Sequence, residues 1–364
     1  MNASFFRATS LLAGTIIGAG LFSLPYLFAR LGWVWGFVYL VGFAFVYLAV
    51  HLMYVSLVVR EADGHHFLYL VRRYLPRFFA RVISWVVPAG LLLALVAYLT
   101  LAPHFARLAF GGGGTSAVIG LWLLGSLFMF LGVARQGWAE LVGVAGIVGL
   151  IGFVFFSGSG SVSLPVFVSL DTSLFLLPFG AFLFSFVGRA AIAEVVGVYQ
   201  RSVKKFSLQR AIFFGTLIPV FVYFVFIFGV LRLNPTISPQ SFLDLALPAG
   251  VLRLLGLLGF VVLFTSYFMI GENVKDILRT DVGRSQFFSG AVPVAVPILL
   301  YTIGFRDFLT VISFAGGIFL AIESACVVFM WRRAFPASSW RWVSWPLYAV
   351  FVTAVVSVVW GVAF

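Results

Sequence analysis

The sequence has very little charge and almost no cysteine. Charged residues make up 9% of its 364 positions, whereas hydrophobic residues make up 63%. Soluble domains have about 25% charged residues, so this composition excludes a soluble globular protein and a disordered chain. Cys326 is the single cysteine, which excludes an intrachain disulfide and leaves redox or zinc chemistry without ligands. The sequence therefore predicts no metal site and no cofactor.

Long apolar segments fill the chain instead. A membrane-spanning helix needs about 20 apolar residues, and the sequence predicts an all-α, polytopic membrane protein with about eleven such helices. The first segment is too long for a signal-peptide core and lacks a small-residue cleavage pattern, so we expect it to be a true span. The predicted spans are 6–29, 33–59, 80–104, 116–134, 138–157, 173–197, 211–231, 251–274, 287–304, 308–331 and 342–362.

The basic residues give a topology. The net charge is +12, but lysine and arginine stand at the ends of the spans, which indicates orientation rather than nucleic-acid binding. Of 23 basic residues, 17 fall on the side of the N-terminus. The opposite side has Arg30, Arg107, Arg232, Arg253 and Arg306, while Arg189 falls inside a span. We expect an integral protein of the cell (cytoplasmic) membrane, with its N-terminus in the cytoplasm and its C-terminus outside.

The first span contains a helix break. Residues 14–20 (GTIIGAG) place three glycines within seven positions, and Pro25 follows. In a helix interior each glycine costs about 1 kcal/mol and a proline about 3 kcal/mol relative to alanine. Irregular backbone at membrane depth is tolerated only where it is buried in protein or lines a cavity. The pattern predicts a broken helix whose freed backbone groups face a binding site.

The sixth span repeats this feature, because Ser185 and Gly188 interrupt it at mid-depth. Each broken span is the first of a set of five, and an odd number of spans per set requires the second set to be inverted. The sequence predicts one transmembrane transporter domain over 1–364: a first repeat (1–157), an inverted second repeat (173–331) and an additional C-terminal helix (342–362). Glycines that only permit close helix packing are the alternative.

The order of these motifs resembles the amino acid/auxin permease family of the amino acid–polyamine–organocation superfamily. The resemblance implies eleven spans and the leucine-transporter fold. The chain departs from the family at Arg189, where a histidine or a small residue is more usual, and at the more polar Glu272-Asn273. The matching stretches are residues 14–20, Leu24-Pro25, Gly32-Trp33, Ala97-Tyr98, residues 184–188, Thr265-Ser266 and Lys275-Asp276.

The two breaks together predict a site for an amino acid. The N–H groups that begin the outer half of span one suit a carboxylate, because a helix N-terminus has unpaired donors and roughly half a positive charge. The break in span six would supply apolar walls and carbonyl acceptors for an ammonium group. Tyr98 could close over the ligand, or be an ordinary buried tyrosine. The predicted substrate-binding residues are Ile16, Gly18, Ala19, Gly20, Tyr98, Phe182, Ser185, Phe186 and Gly188.

The resemblance also implies a coupling ion. It places the hydroxyls of Thr265 and Ser266 opposite the carbonyls of Gly14, Ile17 and Val262, and five hard oxygens suit sodium. Alternatively, each hydroxyl bonds a carbonyl of its own helix. Proton-coupled relatives often have a lysine in span five, and none occurs there. The coupling ion, Na⁺ or H⁺, stays open at this point.

Ionisable residues inside spans indicate function, because each costs about 2.5–3.5 kcal/mol at mid-bilayer. Arg189 and Glu323 lie at similar predicted depth, so we expect them to pair, either as a structural ion pair or as a proton-coupling or gating group. Glu272 is a further candidate for that role, although it lies near a span end. His51 and His104 also lie near span ends, and each alone indicates only a satisfied polar residue.

These features predict a secondary active amino acid transporter that works by alternating access, with a neutral or apolar substrate. The alternative is an amino-acid-sensing receptor or a channel on the same fold. An enzyme is disfavoured because no catalytic set converges at one depth, and a metal-ion transporter would need Asp and Met in the breaks, which span one lacks. The expected partners are an amino acid and the lipid bilayer, without nucleic acid, and we expect a monomer.

Overall fold

A computed structural model describes residues 3–61, 67–131, 136–157, 164–233, 237 and 247–363 of the chain. Within them the regular structure is helical. The α-helices are α1 (Ala3–Ile16), α2 (Leu24–Arg60), α3 (Phe67–Tyr74), α4 (Arg77–Phe110), α5 (Gly114–Leu131), α6 (Gln136–Ser157), α7 (Thr172–Leu176), α8 (Pro178–Phe186), α9 (Arg189–Arg201), α10 (Leu208–Leu233), α11 (Ala249–Asp276), α12 (Gln286–Ile303), α13 (Phe308–Phe314), α14 (Ala321–Ala334) and α15 (Ser344–Ala363). Short 3-10 segments (Ala19–Ser23, Ser339–Val343) and π-helical segments (Ile277–Asp281, Ala315–Leu320) connect some of them.

The number of membrane passes agrees with the prediction. Among the described residues, eight helices are long and apolar enough to cross a membrane, and two further apolar helices, Gly114–Phe130 and Ala145–Ser157, are shorter. One of the eight, Ala19–Arg60, is interrupted by the non-helical Gly32, so it comprises the second half of span one and the whole of span two. Large apolar side chains cover the outer surface, among them Phe156 (86% exposed) and Phe287 (87% exposed). The protein is a polytopic membrane protein, and this apolar exterior is its lipid-facing surface.

Gly32 makes the turn between spans one and two. Its φ of 72° and ψ of 178° lie where side chains other than glycine are strained. The N–H groups of Trp33 and Val34, freed by the turn, donate to the carbonyls of Pro165 and Val166, each at 3.1 Å. A Cβ at position 32 would lie 2.6 Å from the Pro165 oxygen. The turn thus requires glycine for its conformation and for the close approach of the segment that precedes span six.

Both predicted helix breaks are present. Span one leaves the α-helix after Ile16, passes through an extended Gly18 and continues as the 3-10 segment Ala19–Ser23. Pro25 falls in the first turn of α2, where its missing N–H costs nothing. Span six breaks between Phe186 and Arg189, and Gly188 caps the second half. Ser185 was expected to contribute to this break, but it lies inside α8, so Val187 and Gly188 alone form it.

The basic ends of several helices lie on one side of the molecule. The Arg60 guanidinium donates to the carbonyl of Ala334, and the Arg72 guanidinium donates to the carbonyl of Asp281. Arg333 Nη1 donates to the Tyr74 carbonyl at 2.7 Å. These contacts join the ends of α2, α3 and α14 and the segment after α11. We call this side the basic end. The N-terminus of α1 lies on the same side, because span one runs from there to Gly32 and span two returns to Arg60.

Candidate functional site

A cavity of about 250 Å³ lies beside the break in span one. Its volume is near the lower limit of small-molecule pockets, about 300 Å³. Its walls come from spans one, three, five, six, eight and ten. The lining residues are Gly14, Thr15, Ile16, Ile17, Gly18, Ala19, Gly20, Val86, Val87, Gly90, Leu91, Ala94, Tyr98, Ile147, Phe184, Val187, Arg189, Ala190, Thr265, Ser266, Met269, Ile270, Asn273, Phe319, Leu320 and Glu323.

The cavity extends from mid-depth toward the basic end. On α4 the lining runs from Tyr98 to Val86, which is toward the start of that helix, and on α11 it runs from Thr265 to Asn273, toward its end. On the other side of the break the interior is closed by buried rings. Phe22 packs against Phe105 with centroids 5.2 Å apart and against Phe226 at 5.8 Å. The cavity therefore extends toward the basic end, and buried rings pack on the other side of the break.

The break in span one presents backbone donors to this cavity. Ile17 N–H still donates to the Ala13 carbonyl at 2.9 Å, and Leu21 N–H donates to the Gly18 carbonyl at 3.1 Å. The N–H groups of Gly18, Ala19 and Gly20 lie between these two bonds, at the N-terminal end of the 3-10 segment, where a helix has no preceding turn to accept from them. Tyr98 is buried and its hydroxyl faces Ser266 and the Ala19 backbone. The arrangement is suited to an anionic group such as a carboxylate.

One hydroxyl connects the two breaks. The Tyr223 hydroxyl of α10 lies 2.7 Å from the Ile16 carbonyl oxygen and 2.5 Å from the Ser185 carbonyl oxygen. The Ile16 carbonyl ends the first half of span one, and the Ser185 carbonyl lies one residue before the end of the first half of span six. Tyr223 is fully buried and packs its ring against Phe186. It was not among the predicted residues, because a lone tyrosine in an apolar helix gives no sequence signal for such a contact.

Replacing Tyr223 with phenylalanine should therefore destabilise the protein by about 1–3 kcal/mol, because the buried carbonyls of Ile16 and Ser185 would lose the one donor that they share. The expected readouts are a lower melting temperature of the purified protein and slower substrate uptake. Tyr267→Phe is the matched control, since the Tyr267 hydroxyl is buried and has no hydrogen-bond partner among the described atoms. Its removal is expected to be neutral or stabilising. Equal effects of the two variants would contradict the role given to Tyr223.

The structure places the predicted residues of span six differently with respect to the cavity. Phe182 does not line the cavity; it stacks on Phe43 at 5.5 Å and on Tyr39 at 6.1 Å. Phe186 packs on Tyr223, and a Cβ at Gly188 would collide with Ile16. Phe184, Val187 and Ala190 form the wall instead. α8 is apolar on every face, so its sequence alone did not show which face is turned inward.

Ser185 and Gly20 form a close contact between the two broken spans. A Cβ added to Gly20 would lie 2.5 Å from Ser185 Oγ and 2.6 Å from Ser185 Cα. Ser185 Oγ itself donates to the Ala181 carbonyl at 2.8 Å. Ser185 is thus a packing partner of span one and does not line the cavity. Gly20 lines the cavity, where the predicted substrate site lies, and its missing side chain also permits the close helix packing given as the alternative.

Four of the five residues predicted to bind a coupling ion line the cavity, and one hydroxyl of the set is engaged within its own helix. Thr265 Oγ1 donates to the Val262 carbonyl at 3.0 Å, which is a bond within its own helix. Ser266 faces Tyr98. Gly14, Ile17, Thr265 and Ser266 line the cavity, whereas Val262 does not. The sodium-like site stays a prediction. The described residues contain no group of three or more His, Cys, Asp or Glu side chains that could hold a metal ion.

Arg189 and Glu323 pair as predicted. Arg189 Nε donates to Glu323 Oε1, and the two side chains are 16% and 7% exposed. The Arg189 guanidinium also lies over the ring of Phe67, 4.3 Å from its centroid. Both members of the pair line the cavity. Glu272 does not; its carboxylate lies 3.8 Å from Lys275 Nζ, and the neighbouring Asn273 lines the cavity in its place.

Span ten contributes a wall that the sequence did not indicate. Its middle, Ala315–Leu320, is π-helical, and Phe319 and Leu320 of this segment line the cavity. A Cβ at Gly316 would overlap the Gly180 carbonyl of α8. Glycine at position 316 therefore allows the backbones of spans six and ten to touch beside the cavity. Most of the remaining lining is aliphatic or aromatic, so the space suits an apolar side chain.

Solved structures of two transporters share this fold. The manganese transporter of Eremococcus coleocola, in complex with an aromatic bis-isothiourea substituted compound, is similar with a TM-score of 0.70 at 13% identity, over 98% of this chain and 88% of that chain. MhsT in complex with L-phenylalanine is similar with a TM-score of 0.62 at 14% identity, over 98% of both chains. At these identities the similarity concerns the fold alone. No curated protein sequence matches the chain.

The family comparison refines the resemblance given by the motifs. Residues 1–362 match the model of the tryptophan/tyrosine permease family. The transporter fold that the resemblance implies is thus confirmed, and the family that the comparison supports is that of the tryptophan/tyrosine permeases. A permease family and transporter-fold neighbours indicate a transporter rather than an enzyme. The chain belongs to the tryptophan/tyrosine permease family.

Proposed function

We propose that this protein is a secondary active transporter that carries aromatic amino acids by alternating access, with the substrate bound in the cavity beside the two helix breaks. The observation that supports this most directly is the cavity itself. Backbone donors of residues 18–20 face one end of it, and aliphatic and aromatic side chains form most of the rest. An α-amino acid with an apolar side chain has the matching distribution of charge and apolar surface.

The aromatic class is taken from the family and is consistent with the lining. The family is named for tryptophan and tyrosine, and Phe184, Phe319 and Met269 offer flat or polarisable surfaces to a ring. The substrate carboxylate would meet the N–H groups of Gly18, Ala19 and Gly20. The Tyr98 hydroxyl faces the Ala19 backbone and is placed to contact the same carboxylate.

The oligomeric state, the orientation in the membrane, the division into repeats and the coupling ion are also proposed. The bundle is proposed to be a monomer in the cell membrane, with the basic end and N-terminus in the cytoplasm, the C-terminus outside and the cavity open inward. The division into 1–157, 173–331 and the additional helix 342–362 stays a prediction. Transport would be driven by Na⁺ at Gly14, Ile17, Val262, Thr265 and Ser266 or by H⁺.

Ligand-dependent stability is the direct test of the substrate class. We expect L-tryptophan or L-tyrosine to raise the melting temperature of the purified protein, because a ligand at 100 times its Kd stabilises the folded state by about 2.7 kcal/mol. Glycine and L-glutamate should have no effect. Screening all twenty amino acids with and without sodium shows the substrate and the ion together. Stabilisation by none of them, or only by charged ones, would contradict the proposal.

Transport is distinguished from sensing or channel activity in proteoliposomes. A transporter gives saturable uptake that concentrates substrate against a gradient, whereas a channel gives flux without saturation and a receptor gives binding without flux. Labelled L-tryptophan is the probe, and exchange against unlabelled internal L-tryptophan is the simplest readout, because it needs no driving ion gradient. Liposomes without protein set the background.

A further inference from the structure

α2 has a buried polar stripe within its membrane-spanning part. Tyr47, His51 and Tyr54 are spaced at i, i+4 and i+7, so they lie on one face of the helix. They are 1%, 0% and 2% exposed. A histidine buried at this depth costs free energy on insertion and indicates a functional role unless its polar atoms are all satisfied. His51 was expected to be a satisfied polar residue, but one of its ring nitrogens is not satisfied in the structure.

One ring nitrogen of His51 has a partner and the other does not. Nδ1 lies 3.0 Å from the Thr216 hydroxyl of α10. Nε2 is buried without a hydrogen-bond partner among the described atoms. Either tautomer leaves Nε2 unused, as an unpaired donor or as a free lone pair. The lone pair is left when Nδ1–H donates to Thr216, and in that form the ring can accept a proton.

Two more buried hydroxyls, one on α1 and one on α2, are also unpaired. Thr9 Oγ1 of α1 and the Tyr47 hydroxyl of α2 also lack a partner with good hydrogen-bond geometry in the described part of the chain. An unsatisfied buried polar group costs about 1–3 kcal/mol, and proteins usually satisfy such groups with ordered water. The unpaired atoms of His51 and Tyr47, which lie one turn apart on α2 with ring centroids 5.5 Å apart, therefore point to bound water beside His51.

The stripe also reaches the cavity. Tyr54 faces the Arg189 guanidinium, and Tyr47 faces Ser324 and the Arg189–Glu323 pair. Since Arg189 and Glu323 line the cavity, polar groups continue from the cavity wall to His51. Thr216 of α10 presents its hydroxyl to this stripe. The titratable and charged groups around the stripe are Tyr47 and Tyr54 on α2, Arg189 on α9, and Glu323 and Cys326 on α14.

We propose that His51, with water held by Tyr47 and Thr216, is a proton-binding site that couples a proton to substrate movement. This rests on the proposed transport function and assigns its coupling site. A proton from water on one side binds the free Nε2 lone pair, which gives an imidazolium, and the same proton returns to water on the other side. Tyr47, whose ring centroid lies 5.5 Å from that of His51 and whose side chain faces the Arg189–Glu323 pair, links this site to the cavity wall.

The test compares net uptake with exchange in proteoliposomes for wild type and His51→Gln. Labelled L-tryptophan is the probe, sodium is absent and the membrane potential is held at zero. With one proton per substrate, an inside-alkaline gradient of one pH unit should concentrate L-tryptophan about tenfold in wild type. In His51→Gln this ratio should fall to equality, whereas exchange of external for internal L-tryptophan should continue, because exchange moves no net proton.

Two further variants make the result decisive. His104→Gln is the matched histidine control and should keep the tenfold accumulation. Tyr47→Phe keeps the ring but removes a water-binding hydroxyl, and it should lower accumulation more than exchange. Accumulation that still follows the pH gradient in His51→Gln would overturn the inference, and so would equal loss of accumulation and exchange in both His51→Gln and Tyr47→Phe. Wild type without exchange of L-tryptophan or L-tyrosine would instead overturn the proposed function.

Discussion

Replacing Gly18 with leucine is expected to reduce uptake to background while leaving the protein folded. Gly18 is extended, with φ −135° and ψ −157°, a conformation that any residue adopts. A Cβ added there meets only the Ile16 carbonyl, at 4.0 Å, so the protein has room for it. Because Gly18 lines the cavity, the new side chain would occupy the space of the substrate. Uptake of labelled L-tryptophan and the melting temperature are the two measurements.

Two glycines provide controls for this variant. Gly42 lies on the exposed face of α2, and an added Cβ there meets nothing within 4 Å, so Gly42→Leu should keep both uptake and stability. Gly20→Ala should lower both, because its Cβ would lie 2.6 Å from Ser185 Cα and would push the broken spans apart. Unchanged uptake in Gly18→Leu would mean that the substrate binds elsewhere.

Removing one member of the Arg189–Glu323 pair is expected to have the largest effect on stability. Both side chains are mostly buried, and Glu323→Ala would leave the guanidinium without its carboxylate inside the membrane domain. Breaking a buried ion pair in this way costs about 3–5 kcal/mol. The double variant Arg189→Ala with Glu323→Ala should recover much of that loss, because it leaves no unpaired charge. The melting temperatures of the four proteins form a double-mutant cycle.

A surface pair offers the comparison. Arg73 Nε lies 2.8 Å from Glu61 Oε2, but the arginine side chain is 55% exposed. Glu61→Gln should therefore shift the melting temperature far less, since water screens exposed charges. If Glu323→Ala were no more harmful than Glu61→Gln, then water in the cavity would already be solvating Arg189, and the pair would not be a structural element of the cavity wall.

The two helix breaks were predictable because their cause is local. Residues 14–20 contain three glycines close to Pro25, and no packing arrangement restores a regular helix at low cost over such a stretch. The same holds for the turn at Gly32, for which the sequence indicated a span boundary. The Arg189–Glu323 pair was also predictable, because two opposite charges at similar depth in lipid have few other partners.

The inward faces of the helices were not predictable. α8 has phenylalanine at 179, 182, 184 and 186, so every face is apolar, and Phe182 and Phe186 were assigned to the cavity although Phe184 lines it. A helix that is apolar all round has no periodic signal for burial. The Tyr223 contact and the unpaired nitrogen of His51 were missed for a related reason, since each depends on groups from helices distant in sequence.

The sequence by itself determined the class of protein, the number of membrane passes, the side that is basic and the positions where spans one and six cannot remain helical. These follow from composition, segment length and backbone preferences, which act within a few turns of the chain. The tertiary structure alone decided which faces meet in the cavity, which hydroxyl joins the two breaks and which polar atoms stay unpaired. Those depend on close backbone approaches such as Gly20 to Ser185, and a uniformly apolar sequence does not encode them locally.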